Sequence, residues 1–332
     1  MPLQSRIIGT DSVSAIGIGA MSFADFYGPT TEENSYAILD AAAELGVNHI
    51  DTSNIYGMGR SETAIGAWLA ANPDQRAKMH IATKGGITRD ENNTRCFRND
   101  LAHLEAELDK SLARMGVDYV DLYYIHRRQA ERPIEEATQA LAALVAKGKT
   151  RAIGFSEIAP SSLRRAHAVH PVAAVQSEYS LATRFAELGL VQTCAELGTI
   201  LVAFSPVGRT LLTDRPVTTA RLAEMPFLQS NPRFQAPNLA ANIAQTDKFR
   251  ALAADMGQPA AGLAIAWLLA QGAHILPIPG TRSVAHFREL VQGAQLALGS
   301  EDLARIAQVL PVGWAHGDRY SAEQWVGPER FC

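Results

Sequence analysis

The chain has 332 residues, 47% of them apolar, and a formal net charge of -4 at neutral pH. This length and apolar share suffice for a large hydrophobic core, and α/β barrels often reach this size as one domain. The charge is small and the basic pairs at 127–128 and 164–165 are too short to form a patch, so no binding to nucleic acid is expected.

The cysteines and the N-terminus bear on metal binding and on location. Cys96, Cys194 and Cys332 lie far apart, without the spacing of a metal site or of a disulfide framework. The first residues lack the basic start and apolar run of a signal peptide, and the longest apolar stretch, 260–270, is too short to span a membrane. We therefore expect a cytoplasmic protein with no membrane partner and no bound metal. The oligomeric state is not indicated.

Short β-rich segments alternate with helical patterns along the chain. The predicted strands are 16–20, 47–51, 79–84, 119–126, 151–156, 173–176, 200–205 and 274–279. One helix is predicted to begin at Thr30, with Glu33 completing a capping box, and another follows the i, i+3, i+4 apolar pattern from Leu101 to Met115. About eight strands separated by helices predict parallel βαβ units closed into a (β/α)8 TIM barrel, a single domain over residues 1–332.

One segment interrupts this alternation. Residues 207–242 are rich in Pro, Thr, Asn and Arg and show no sustained periodicity. The segment follows the seventh predicted strand, so on a barrel it would project from the rim where barrel enzymes build their active sites. We predict a long loop there that helps to form the site.

The glycine motifs do not match the common nucleotide-binding patterns. Gly17 and Gly19 resemble the start of a dinucleotide fingerprint, but Ser22 occupies the place of the third glycine. The segment GMGRS at 57–61 is not a phosphate-binding P-loop either. A nicotinamide cofactor would therefore bind by another route.

Polar side chains stand where three consecutive predicted strands end. Asp51 ends one strand, Lys84 the next and His126 the one after, and Tyr56 follows Asp51 in the adjoining loop. The C-terminal ends of barrel strands converge on one mouth, so these four groups would become neighbours. Taken singly, each also has a structural interpretation as a cap, a packing residue or a solvated charge, and the residues alone leave both interpretations open.

Eight short blocks carry a recognisable pattern. They are GIGAMSF at 17–23, NHIDTSNIYGMGRSE at 48–62, IATKGG at 81–86, LYYIHR at 122–127, GKTRAIGFSE at 148–157, VQSEYS at 175–180, FSPVGR at 204–209 and PIPGTR at 277–282. In this order and at these distances they resemble the aldo-keto reductase family over essentially the whole chain, and in particular its bacterial branch with short loops and an IPGTR cofactor motif. The resemblance implies a (β/α)8 barrel, NADPH, and a catalytic tetrad at Asp51, Tyr56, Lys84 and His126.

These four side chains suit carbonyl reduction, in which hydride adds to carbon while negative charge develops on oxygen. Tyr56 would donate a proton to that oxygen, and the nearby Lys84 would lower the pKa of the phenol from its ordinary value of about 10. Asp51 would keep Lys84 charged, and His126 would hydrogen-bond the substrate oxygen. The expected partner is a small or medium carbonyl compound, with sugars and other hydroxylated carbonyls among the candidates.

The resemblance also implies the residues that contact the cofactor and the substrate. Ser156 and Gln176 would bind the nicotinamide carboxamide, Phe204 would stack on the ring, and Arg282 would hold the 2′-phosphate. The full set of cofactor contacts is Gly19, Met21, Asp51, Ser156, Gln176, Phe204, Ser205, Val207, Gly208, Arg209, Gly280, Thr281, Arg282, His286 and Glu289. The substrate contacts are Phe23, Tyr56, His126 and Arg127, with Phe26, Tyr27, Phe227 and Tyr179 near the mouth.

Three positions depart from the family pattern. Glu157 stands where many relatives have an Asn that binds the carboxamide, His286 stands where an Arg is common, and Leu290 replaces an Asn that contacts adenine. A carboxylate cannot donate a hydrogen bond to the carboxamide oxygen, so Glu157 is not expected to take that role. The strength of the preference for NADPH over NADH stays open.

Two other functions share much of this pattern. A barrel that binds NADPH as a redox-sensing regulatory subunit would have the same fold and cofactor motifs, although the intact tetrad argues against it. A lyase that uses Lys84 as a Schiff-base nucleophile is opposed by Asp51, which would keep the amine charged. The reductase is the favoured interpretation.

Overall fold

A computed structural model describes residues 3–331. Its strands are β1 (Ser5–Ile8), β2 (Asp11–Ser14), β3 (Ile18–Gly19), β4 (His49–Asp51), β5 (His80–Gly85), β6 (Ile87–Arg89), β7 (Arg95–Phe97), β8 (Val120–Ile125), β9 (Thr150–Ser156), β10 (Ala174–Glu178), β11 (Ile200–Phe204) and β12 (Ile275–Pro277). β1 and β2 form an antiparallel hairpin ahead of the barrel, and β6 and β7 form a second hairpin directly after β5. Neither hairpin was predicted from the sequence.

The other eight strands form one parallel sheet in the order β3-β4-β5-β8-β9-β10-β11-β12. The sheet closes because the Gly17 and Gly19 amides donate to the carbonyl oxygens of Pro277 and Pro279, each at 2.9 Å. A Cβ at Gly19 would lie 2.6 Å from the Ile278 carbonyl oxygen, so this close approach requires glycine. The predicted barrel is confirmed, and all eight predicted strands are present with ends that differ by a few residues.

Helices follow the barrel strands and cover their outer faces. They are α1 (Glu32–Leu45), α2 (Arg60–Ala71), α3 (Leu101–Met115), α4 (Ile134–Ala146), α5 (Pro160–Val169), α6 (Leu190–Leu197), α7 (Thr219–Leu222), α8 (Pro226–Gln229), α9 (Asn238–Asp255), α10 (Ala260–Leu269), α11 (Val284–Gly293) and α12 (Ser300–Val309). Because helices cover one face and packed side chains fill the other, strands such as β5 and β8 are buried along their whole length.

The helix starts show one correction. α1 begins after Thr31, whose side chain accepts a hydrogen bond from the Asn34 amide, and not after Thr30 as predicted. The Thr30 amide instead donates to the Asp25 carboxylate at 2.9 Å, which places Thr30 in the preceding turn. α3 spans the predicted residues, with Asp100 as its N-cap.

The long segment after β11 is present, but it is not devoid of structure. It contains α7, α8 and two short 3-10 helices, packed around a small apolar cluster that includes Leu211, Met225, Leu228 and Phe234. α9 begins at Asn238, so the last part of the predicted loop is helical. The apolar periodicity is weak there because α9 buries polar residues such as Asn242 on its inner face.

No single helix among residues 3–331 has the length and apolar character of a membrane span. α9 and α10 meet that test only when taken together, across a bend of 87°.

Candidate active site

A cavity of about 1090 Å³ opens at the C-terminal ends of the barrel strands. Its wall contains every cofactor contact expected from the sequence except Gly208. It also contains Asp51, Tyr56, His126 and Arg127, whereas Lys84 lies behind Asp51 and Tyr56 and is fully buried. The fold therefore gathers at one mouth residues from almost the whole length of the sequence, from Gly19 to Gln324.

The floor of the cavity holds a buried ion pair between Lys84 and Asp51. The Lys84 ammonium also donates to the Thr52 carbonyl oxygen at 2.7 Å and to the Tyr56 hydroxyl at 3.4 Å. The second carboxylate oxygen of Asp51 accepts from the Gln176 amide at 2.8 Å. Asp51 thus joins a lysine on β5 to a glutamine on β10, and Tyr56 is held against the ammonium.

Burial and charge act in opposite directions on these groups. Burial alone would lower the pKa of Lys84, but Asp51 and Tyr56 outweigh it and the pKa is raised, so the amine stays charged. Burial raises the pKa of Asp51, and Lys84 offsets only part of that shift. Burial also raises the pKa of Tyr56 above its ordinary value, although the Lys84 charge acts to lower it. Lys84 thus acts on the pKa of Tyr56 in the expected, downward direction, but the net shift of that pKa is upward.

His126 lies beside Tyr56, with the two ring centroids 5.8 Å apart and the planes nearly perpendicular. Its Nδ1 is 3.1 Å from the Ser53 hydroxyl, which leaves Nε2 for the cavity. Burial, reinforced by the charges of Arg127 and Lys84, holds the pKa of His126 well below its usual range, so the imidazole is neutral. If the Ser53 hydroxyl donates to Nδ1, then Nε2 carries the hydrogen and can donate to a ligand oxygen.

Ser156 and Gln176 are buried and lie on neighbouring strands in register. Glu157, which follows Ser156, points elsewhere: its carboxylate accepts from the Ser177 hydroxyl and the Glu178 amide and pairs with Arg319. Its φ of 58° lies in the left-handed region, which asparagine enters more readily than glutamate. Glu157 is not among the residues that line the cavity.

The end of β11 supplies Phe204 to the wall, and the segment that follows supplies Ser205 and Val207. Gly208 is an exception to the predicted contacts: it is buried with a φ of 60° and is not among the residues that line the cavity. Arg209 reaches the wall, but its guanidinium donates to the Glu178 carboxylate at 2.6 Å. Arg209 is therefore ion-paired within the protein, to a carboxylate that it shares with Arg233 and Arg319.

The N-terminus of α11 forms the opposite part of the wall. Ser283 caps this helix by accepting from the His286 amide, and Thr281, Arg282, His286 and Glu289 line the cavity around it. Arg282 is half-buried and donates to the Pro29 carbonyl oxygen, and it forms no ion pair with any residue in 3–331. A helix N-terminus beside an unpaired guanidinium favours an anion.

Two aromatic side chains expected at the mouth lie elsewhere. Phe23 belongs to the hydrophobic core, because the 3-10 helix Ala20–Phe23 turns its ring inward, and it is 2% exposed. Tyr179 packs against Trp267 and donates its hydroxyl to Glu187, away from the cavity. Phe26, Tyr27 and Phe227 do line the wall, and their rings contact one another edge to face.

Comparison with known proteins agrees with this geometry. Residues 15–311 match the model of the aldo/keto reductase family. The chain is 37% identical to the aldo-keto reductase yakc [NADP(+)] of Schizosaccharomyces pombe, over 96% of this chain and 95% of that protein. It is 35% identical to the aldo-keto reductase str7 of Strobilurus tenacellus, over 96% of this chain and 95% of that protein. The chain belongs to the aldo/keto reductase family. Among solved structures it is similar to a glycerol dehydrogenase from Gluconobacter oxydans, with a TM-score of 0.81, 27% identity, and coverage of 93% of this chain and 96% of that chain.

Among the wall residues of this aldo/keto reductase that the sequence did not indicate are Arg95 on the β6–β7 hairpin, and Tyr320 and Gln324 near the C-terminus. The C-terminal segment reaches the cavity because Arg319 is buried against Glu157 and Glu178. The feature of the sequence that could have indicated a packed C-terminal segment is its composition, because two of the four tryptophans of the chain fall within the last 20 residues.

Proposed function

We propose that this member of the family is an NADPH-dependent reductase that converts an aldehyde or ketone to the alcohol and acts as a single barrel domain. The observation that carries the proposal is the Tyr56 hydroxyl, which faces the cavity while the buried Lys84–Asp51 pair stands behind it. A polar proton donor next to a fixed positive charge suits a reaction in which negative charge develops on a carbonyl oxygen.

The wall is suited to a nicotinamide dinucleotide phosphate, as the name of the Schizosaccharomyces pombe relative also suggests. Ser156 and Gln176 present a hydroxyl and an amide for the carboxamide, and Phe204 presents a half-buried ring for the nicotinamide. Arg282, half-buried beside the N-terminus of α11, is placed for a phosphate. When bound, NADPH would supply the hydride that adds to the carbonyl carbon.

Side chains of the protein bind the carbonyl oxygen of the substrate and donate a proton to it. His126 donates a hydrogen bond to the carbonyl oxygen, which polarises the bond and orients the substrate. As the new C–H bond forms, the Tyr56 O–H bond breaks and its proton passes to the oxygen, which completes the alcohol. The resulting phenolate is stabilised by the Lys84 ammonium until it regains a proton from solvent. Asp51 orients the ammonium and keeps it charged.

The test is NADPH consumption across a panel of aldehydes, ketones and sugar carbonyls, with Tyr56→Phe as the comparison. The variant loses the proton donor alone, so kcat should fall by about two to four orders of magnitude while the Kd for NADPH stays nearly constant.

Unchanged turnover in Tyr56→Phe would contradict the assigned role of Tyr56. Tight NADPH binding without turnover of any carbonyl compound would favour a regulatory barrel instead. Trapping of a substrate on Lys84 by borohydride would favour a Schiff-base lyase, which the raised pKa of Lys84 opposes.

A further inference from the structure

Arg127, at the His126 side of the cavity, is a buried cation without an acidic partner. It is 9% exposed, and its guanidinium donates to the His126 carbonyl oxygen at 2.6 Å and to the Ser156 hydroxyl at 3.0 Å. Both acceptors are neutral, and the Nε atom is buried with no hydrogen-bond partner among residues 3–331. A buried charge is ordinarily paired, but Arg127 forms no ion pair among the described residues. Glu157, whose pKa Arg127 helps to lower, forms its ion pair with Arg319 instead.

Arg95 adds a second positive charge at the same side of the mouth. It lies on β7, directly across the hairpin from Arg89 on β6, and its side chain reaches the cavity wall over the ring of Phe97. Like charges directly opposite on a hairpin destabilise it. No carboxylate among the described residues forms an ion pair with Arg95, and Glu323 on the facing C-terminal segment comes near without doing so.

These two arginines are not needed for the phosphates of a nicotinamide cofactor. Arg282 and the N-terminus of α11 follow β12, whereas Arg127 follows β8. β8 and β12 are four strands apart in a closed sheet of eight, so they lie on opposite sides of the barrel. The phosphate end and the Arg127 end of the cavity are therefore distinct.

The acidic residues of the wall do not neutralise the Arg127 end. There are three of them among the described residues: Asp51, Asp214 and Glu289. Asp51 is paired with Lys84, Asp214 accepts from the Ala260 amide at the start of α10, and Glu289 lies on α11. A ligand that binds beside His126 thus meets a net positive charge.

We propose that Arg127 and Arg95 form an anion subsite, so that the preferred substrates are aldehydes or ketones that also carry a carboxylate or a phosphate. This inference rests on the proposed reductase function and narrows its substrate class. Guanidinium groups bind both oxyanions through paired N–H donors, and the burial of Arg127 strengthens such a bond. Arg127 and His126 both line the cavity, so the subsite lies at the end of the cavity that binds the carbonyl oxygen.

The test compares matched pairs of substrates that differ in charge. The pairs are para-carboxybenzaldehyde with para-methylbenzaldehyde, and glycolaldehyde phosphate with glycolaldehyde. We expect kcat/KM to favour the anionic member, and the ratio within a pair to fall at least about ten-fold in Arg95→Gln and in Arg127→Gln, the effect of one lost charge-assisted hydrogen bond. Arg98→Gln is the matched control, because Arg98 lies one residue beyond β7, pairs with Asp100 and is outside the wall.

The outcomes separate this inference from the proposed function. Turnover of the neutral aldehydes with no preference for either anion, or a preference that survives both substitutions, would overturn the subsite and leave the reductase in place. If no carbonyl compound is reduced, calorimetric titration of para-carboxybenzyl alcohol and para-methylbenzyl alcohol onto the protein with NADP+ still decides the matter. Tighter binding of the carboxylate that is lost in Arg95→Gln supports the subsite, and equal binding overturns it.

Discussion

Four polar groups on the floor of the cavity behave as one unit, because each restricts the next. Asp51 is held by Lys84 on one oxygen and by Gln176 on the other, so its orientation is set from both sides. Removing Lys84 or Asp51 would leave the other as a buried, unpaired charge, which is far more destabilising than losing a surface ion pair. This arrangement keeps the Tyr56 phenol protonated and the Lys84 amine positively charged. Tyr56 can therefore hold its proton until charge develops on a neighbouring oxygen.

The position of a single residue could be predicted from the sequence where a topological rule of barrels applied. Its pKa and its ion-pair partner could not be predicted where they depend on residues distant in the sequence. Asp51, Lys84 and His126 were located correctly because strand ends of a barrel converge. The net upward pKa shift of Tyr56 depends on how completely the site is buried, which the sequence does not state. The ion pair between Arg209 and Glu178 could not be read from the sequence either, because these residues are 31 positions apart, one at the end of β10 and the other in the segment after β11.

Arg282 gives a prediction at this scale. Arg282→Ala should raise the Kd for NADPH much more than the Kd for NADH, because a guanidinium that binds the 2′-phosphate has no such group to bind in NADH. A hydrogen bond to a charged group contributes about 1.5–3 kcal/mol, so a ten-fold or larger loss is expected for NADPH alone. Fluorescence titration with both cofactors measures it.

Arg288→Ala is the control for that measurement, because Arg288 lies on α11, directly after the turn that holds Arg282, but pairs with Glu44 at the surface. Equal losses of NADPH and NADH affinity in Arg282→Ala would mean that Arg282 does not contact the 2′-phosphate.

At the scale of elements, regular alternation was sufficient to predict the eight barrel strands, because parallel strands buried on both faces give short apolar runs. The two hairpins were missed because β1, β2, β6 and β7 are only three or four residues long and carry polar residues. The second hairpin matters for function, since it brings Arg95 to the cavity wall.

The packing of α10 against α11 gives a prediction for an element. A Cβ at Gly293 would lie 2.3 Å from the Gly262 carbonyl oxygen, so Gly293→Ala must push the two helices apart. We expect the free energy of unfolding to fall by about 1–3 kcal/mol, as for other overpacked contacts, and the affinity for NADPH to weaken because α11 carries the phosphate end of the site. Denaturant unfolding and cofactor titration measure the two effects.

Gln292→Ala controls for the change in helix propensity, because Gln292 is exposed on the same helix. An unchanged free energy of unfolding in Gly293→Ala would contradict the prediction, because it would show that α11 can move without loss of stability. An effect on NADPH affinity would then be separate from an effect on helix packing.

At the scale of the whole molecule, the C-terminal segment closes over the rim of the barrel and is attached by buried charge. Arg319 is 2% exposed, pairs with Glu157 and Glu178, and lies against the rings of Tyr320 and Trp325. The Glu329 amide also donates to the Glu157 carbonyl oxygen at 2.8 Å. The residue that departs from the family pattern after Ser156 is thus the anchor of the segment that brings Tyr320 to the cavity.

This anchor predicts how stability depends on pH. Burial alone would raise the pKa of Glu157, but Arg319 and Arg127 outweigh it and the pKa lies below its ordinary 4.5. The contribution of a carboxylate with a lowered folded-state pKa is complete above that ordinary value and is lost as the pH falls through the folded-state pKa. Glu157→Gln removes this titration and one partner of a buried pair. We expect the variant to be less stable at neutral pH by about 3 kcal/mol, and to lose less stability than the parent between about pH 5 and pH 3.

Denaturant unfolding across that pH range measures both effects. Glu136→Gln provides the comparison, since Glu136 pairs with Arg132 at the surface and its loss should change little. If Glu157→Gln and the parent lost stability in parallel below pH 5, the ion pair with Arg319 would not be the anchor. The segment would then be held by the aromatic contacts of Arg319 alone, and removing Trp325 should destabilise it more than removing the carboxylate.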